Sequence, residues 1–213
     1  MVEVSKESNE GVSVISDDTD VFVLLLHFYA QENLSGQEVM ESPVGDREVT
    51  DIGSTAEDIS DILPDLLAAH ALSGCDTVAC YHGIGKGTHL SSVGNPESDI
   101  ATIIKESTKF VSTCFNKPDC ASMSEARQKV WVARVAKSNS AAPKLCSLPP
   151  TSESFHENVK RAHLQACIWK HALDAEPPSM DPDQFGWIKN EDNKCYLPVM
   201  VPSGTHVSSC RHT

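Results

Sequence analysis

Polar residues without a period fill positions 1–11, so a disordered start is expected there. The first apolar signal is the β-branched run Val12-Ser13-Val14-Ile15. It reads as a short buried strand, because a parallel central strand needs no alternation. Beyond Asp20, the residues Val21, Phe22, Leu24, Leu25 and Phe28 are apolar around most of a helical circumference, and that helix should stop near Asn33 to Gly36. Gln37 to Glu41 and Glu48 to Ile52 are short strand candidates on either side of the turn Pro43-Val44-Gly45-Asp46. Ser54 followed by Glu57 has the spacing of a capping box. Pro64 opens a further helix whose Leu66, Leu67, Ala69 and Leu72 run into Ser73-Gly74-Cys75-Asp76.

The second half of the chain is more helical. Asn95-Pro96-Glu97 should start a helix through Ile100, Ile103, Ile104 and Phe110, which Lys117-Pro118-Asp119 then breaks. From Ser124, the residues Arg127, Lys129, Val130, Trp131, Arg134 and Lys137 describe a basic amphipathic helix. Its charge suits either a phosphate backbone or plain solvation, with solvation the simpler account. Residues 138–150 are rich in Ser, Ala and Pro and read as a linker. Thr151 to Leu173 follows as a long helix, with Ser154 and Glu157 in capping-box spacing and Phe155, Val159, Ala162, Ala166, Trp169 and Leu173 on one face. His163, Cys167 and His171 form a neighbouring stripe, but its ends lie about 12 Å apart along the axis, too far to share one zinc ion. The remainder to residue 213 is an irregular tail in which Phe185 and Trp187 should dock on the long helix, with a strand at Lys194 to Val201.

Composition narrows the class. The 213 residues are 40% hydrophobic and 22% charged, ordinary for a globular protein. The longest apolar run, Val21 to Tyr29, is too short to span a membrane and is interrupted by His27. Met1 to Glu10 has neither a basic segment nor an apolar one, so no secretory signal is expected, and an intracellular setting, nuclear or cytoplasmic, follows. Eight cysteines without a repeated C-x-x-C fit thiols in a reducing compartment. The net charge of -13 argues against a protein that coats nucleic acid, yet it is local: residues 1–66 hold sixteen acids against Lys6 and Arg47. Such a distribution suits a metal site.

The sharpest chemistry is the acidic turn Ser16-Asp17-Asp18-Thr19-Asp20 between the first strand and the first long helix. Carboxylates 4 Å apart repel by ~4 kcal/mol per pair at an effective dielectric near 20, so a cation is expected among them. The simpler role, filling a helix N-terminus, needs only Asp20. The turn Gly83-Ile84-Gly85-Lys86-Gly87 offers backbone N–H groups and one charge to a phosphate, or alternatively a plain helix cap. It is not a Walker A loop, because Cys80 and Gly87 stand where glycine and a hydroxyl residue are required.

Together, Ser16 to Asp20 and the later segment Ala69 to Gly87 (AHALSGCDTVACYHGIGKG) resemble the Asp-x-Asp motif and the Gly-x-Asp helix followed by a Gly-Ile-Gly hairpin of the flap-endonuclease and PIN-like nuclease superfamily. Order and spacing agree over roughly residues 12–112. The resemblance implies an α/β, partial PIN-like three-layer fold with a short parallel sheet over residues 12–137, and a mostly helical extension over 151–213. It also implies a phosphodiesterase centre with Asp18, Asp20 and Asp76 as catalytic carboxylates. Asp17, Asp18, Asp20 and Asp76 would hold Mg²⁺ or Mn²⁺, while Gly83, Gly85, Lys86 and Gly87 grip phosphates of nucleic acid, DNA before RNA.

Such nucleases carry further carboxylates upstream of the Asp-x-Asp motif. Glu3, Glu7 and Glu10 do not reproduce them, so the chain resembles the back half of that domain, with an exposed sheet edge that a partner chain could complete. It is similar in this to multicopy animal proteins, often of mobile-element character, that join a PIN-like domain to such an extension. Two other classes remain open. One is a non-catalytic interaction module on the same fold. The other is a phosphatase of the haloacid dehalogenase type, which Asp18-Thr19-Asp20 fits but Phe22 does not.

Overall fold

The apolar residues beyond Asp18 wind into a helix, Thr19–Gln31, that buries Val23, Leu25, Leu26 and Phe28. A computed structural model describes residues 2–7, 11–45, 48–75, 89–137, 143–192 and 194–200. Contacts divide the chain into two units, Met1–Ala71 and Leu72–Thr213.

The first unit begins with α1, Val2–Glu7, a helical turn where a disordered start was expected, with Lys6 paired to Glu32. β1, Val12–Ile15, leads through the acidic turn into the helix at Thr19–Gln31, now α2. β2, Glu38–Glu41, returns parallel to β1, in the register Val12↔Glu38 to Ile15↔Glu41. β3, Thr50–Asp51, adds to β2 antiparallel. The fold is therefore α/β, but its small sheet is mixed, where a parallel one was expected. Among the described strands, β2 occupies the centre and β1 an edge. This corrects the expectation of a buried central strand: Val12 and Val14 turn to the core face, while Ser13 is exposed and Ile15 is 69% exposed.

Two further helices close the core. α3, Ile52–Asp58, is capped by Asp51, whose Oδ1 accepts the Ser54 N–H at 2.8 Å. The cap lies one turn ahead of the expected Ser54, because starting at Ile52 places that residue, fully buried, in a cluster with Leu25, Leu26, Ala56 and Leu63. α4, Leu63–Ser73, opens with Pro64 in its first turn as expected, and the division between the units falls within it.

The second unit is helical. α5, Ile100–Cys114, is capped by Asp99, not by Asn95, whose Oδ1 instead accepts the Glu97 N–H in a local turn. α6 covers Met123–Lys137, and α7, Ser152–Lys170, starts at Thr151 as expected, with Thr151 rather than Ser154 as its cap, and stops before the exposed Leu173. α5, α6 and α7 pack on one another, so the helices expected on either side of a linker at 138–150 belong to one unit. Phe155, Val159, Ala162 and Ala166 of α7 are fully buried, the face that the spacing identified.

As expected, the tail docks on α7. Phe185 stacks on His163 with ring centroids 5.7 Å apart, and the Arg161 guanidinium lies 5.9 Å from the Trp187 ring. β4, Trp187–Lys189, pairs antiparallel with β5, Tyr196–Pro198, within the expected strand. No helix among the described residues is long and apolar enough to cross a membrane.

Candidate metal centre

The acidic turn is built by its own side chains. Ser16 Oγ accepts the Asp18 N–H at 3.0 Å, and Asp18 Oδ1 accepts the Asp20 N–H at 2.8 Å. With φ -80° and ψ 123°, Asp18 is the N-cap of α2, and its carbonyl accepts the first intrahelical bond from Phe22 at 3.1 Å. Asp18, not Asp20, thus serves the helix terminus. Its negative charge is also stabilised by the positive end of the helix dipole. Asp17 and Asp18 are exposed, and Asp20 is half-buried.

Asp20 is anchored from outside the turn. His70 on α4 places Nε2 2.6 Å from Asp20 Oδ1, with both side chains largely shielded from solvent. Since an ionised carboxylate only accepts, the His70 ring carries its proton on Nε2 at this contact. The contact is an ion pair when the imidazole is charged and a hydrogen bond when it is neutral. His70 is a site residue that the sequence reading passed over. Its one signal was a lone imidazole among Leu66, Leu67, Ala68, Ala69, Ala71 and Leu72.

The turn sits beyond the carboxyl ends of the parallel pair β1 and β2, where open α/β sheets place ligands. Glu41, the last residue of β2, instead accepts from Ser13 Oγ at 2.8 Å. The structure therefore joins Asp20 to His70 and sets Asp18 beside Asp20 in the turn, with Asp17 exposed next to them in the chain. Asp76, Gly83, Gly85, Lys86 and Gly87 lie outside the described residues, and among those that are described no three His, Cys, Asp or Glu side chains converge tightly enough to hold a metal. In kind, the donors fit Mg²⁺ or Mn²⁺, which prefer carboxylate oxygen. In number, the described ones fall short of a full shell.

Two other sequence candidates resolve into structural roles. On α6, Arg127 donates to the Pro149 carbonyl and Arg134 to Ser147 Oγ, so both arginines bind the segment before α7, while Lys129 pairs with Glu125 at 2.7 Å. Along α7, His163 Nδ1 accepts the Gly94 N–H at 3.1 Å, which leaves Nε2 as the donor toward Cys167 Sγ at 3.6 Å. Burial, with the nearby Lys170 charge, lowers the His163 pKa from 6.5 to about 4, and burial raises the Cys167 thiol to about 11. A neutral imidazole with both nitrogens engaged beside a protonated thiol is a packed core pair. It is not a zinc site.

No family model, curated protein or solved structure matches the chain.

Proposed function

We propose that the acidic turn after β1 is the metal-binding end of a nucleic-acid phosphodiesterase. The observation that carries this reading is the placement of Asp18 and Asp20 in one turn at the carboxyl end of the sheet, with the Asp20 carboxylate held by His70. A bound Mg²⁺ or Mn²⁺ would supply an activated water and neutralise charge on the phosphoryl oxygens. Asp18 and Asp20 would each turn an oxygen to that ion, and His70 would act as a positioning residue by holding Oδ1 of Asp20. Asp76 is the further ligand implied by the resemblance, and the glycine-rich turn with Lys86 is the phosphate grip. The substrate class is DNA, or less favourably RNA, in an intracellular setting.

The test is cleavage of flap and single-stranded DNA by the purified chain with Mg²⁺ or Mn²⁺. Metal-dependent cleavage should fall by at least about 100-fold in Asp20→Asn, beyond the 10- to 100-fold typical of losing only an outer-shell partner. Cleavage that survives in Asp20→Asn and Asp76→Asn would refute the assignment.

A second reading has its own support. Asp18 already serves α2 as a cap, a structural role that a fold retained for binding alone would keep. A folded wild-type chain that binds DNA without cutting it would favour that reading.

A further inference from the structure

The stripe His163, Cys167 and His171 on α7 leaves one imidazole without a role. His163 and Cys167 are a core pair, whereas His171, the C-cap residue of α7, is only half-buried. Its Nδ1 lies 2.8 Å from the Cys167 carbonyl oxygen. A carbonyl only accepts, so the ring carries its proton on Nδ1. Nε2 then keeps its lone pair, with no hydrogen-bond partner among the described residues.

That ring lines a cavity of about 310 Å³ in the second unit, at the end of α7. Leu164 and Cys167 supply buried lining, and Ile168, also in the wall, is 55% exposed. The rest of the wall includes Pro177, Pro178 and Met180, on the segment that leads from α7 to the docked Phe185. This segment is held at both ends. Near its start the Ala172 N–H donates to the Trp169 carbonyl at 3.2 Å, and beyond its end Phe185 stacks on His163. Between these points Pro177, Pro178 and Pro182 fix φ and stiffen the chain, so the cavity is formed before any ligand arrives.

We propose that this cavity binds a small neutral phenol. Its ring would lie against Ile168, the prolines and the Met180 thioether, a favoured neighbour of aromatic rings, and its hydroxyl would donate to His171 Nε2. The volume, at the lower end for small-molecule sites, suits a single substituted ring better than an extended ligand. Asp174 also lines the cavity, and its carboxylate disfavours an anion such as benzoate. All these groups belong to the second unit, so the site is distinct from the acidic turn after β1 and does not depend on nuclease chemistry.

The test is titration of the full chain with p-cresol and with toluene, followed by NMR of the methionine methyl groups. Mildly alkaline pH is used, because an imidazolium nitrogen donates and cannot accept. The Met180 methyl, assigned from Met180→Leu, should shift saturably with p-cresol, while the Met40 methyl in the first unit stays in place. Toluene should bind about tenfold more weakly, since it covers the imidazole nitrogen without satisfying it. In His171→Leu the two affinities should converge. If that variant fails to fold by circular dichroism, the two ligands on the wild-type chain decide. Equal affinity for p-cresol and toluene in the wild type, an unmoved Met180 methyl, or an undiminished preference for p-cresol in a folded His171→Leu would each overturn the proposal.

Discussion

Acidification charges His163 in the unfolded chain before it does so in the folded one. In the fold, a proton on Nδ1 would face the Gly94 N–H that this nitrogen now accepts, and the new charge would sit beside Lys170, on a ring stacked against Phe185 and 1% exposed. The pKa is lowered from 6.5 to about 4, so the contribution is complete above pH 6.5 and is lost as pH falls toward 4. Between about pH 7.5 and about pH 5, proton linkage at this one residue removes roughly 2 kcal/mol of stability. Trp131, Trp169 and Trp187 all lie in the second unit, so tryptophan fluorescence follows its unfolding specifically. The urea midpoint should fall by roughly 1 M over that range. In His163→Gln, which cannot titrate there, the fall should be smaller by about the same amount. An identical fall in both proteins would refute the reasoning, because other groups would then carry the whole pH dependence.

Three further outcomes follow from local geometry. Asp51→Ala removes the α3 cap and should destabilise the first unit by about 1 kcal/mol, whereas Ser54→Ala, at the position that the capping-box spacing favoured, should cost less, as measured by chemical denaturation. Gly94→Ala should lower the thermal midpoint of the second unit and cost about 2–4 kcal/mol, since Gly94 has φ +78° and a Cβ there would meet Ala166 Cβ at 2.8 Å. In timed alkylation read by peptide mass spectrometry, exposed Cys195 should react first among the described cysteines. Buried Cys114, Cys120 and Cys167 should react only on unfolding, with Cys167 slowed further by its raised pKa.

How much of this was legible in the sequence depended on how local each cause is. The apolar girdle of Val21 to Phe28 and the spacing of Phe155, Val159, Ala162 and Ala166 are properties of single helices, and both helices lie where that spacing put them. The caps were misplaced by one turn in the same way twice. Ser54 and Ser154 each precede a glutamate by three residues, yet each donates its own N–H to an oxygen three residues earlier, on Asp51 or Thr151. Burial of Ile52 decides the α3 case, and burial is tertiary. The exposure of Ile15 depends on what lies beyond β1, which four β-branched or small residues do not encode. His70 reaches Asp20 across fifty positions, and nothing local to Ala69-His70-Ala71 announces that partner. Asp18 was legible as a ligand candidate but not as the cap, because three adjacent acids offer the helix more than one way to start.

Titration of Mg²⁺ and Mn²⁺ into the purified chain by calorimetry asks whether the acidic turn binds a divalent cation. Asn caps a helix about as well as Asp, so Asp18→Asn removes charge while keeping α2 intact. Binding should be saturable, lost in Asp18→Asn and in Asp76→Asn, and weakened about 10- to 100-fold in His70→Ala, where only the orientation of Asp20 is disturbed. A folded wild-type chain that binds neither ion, or that binds equally well after Asp18→Asn, would contradict it.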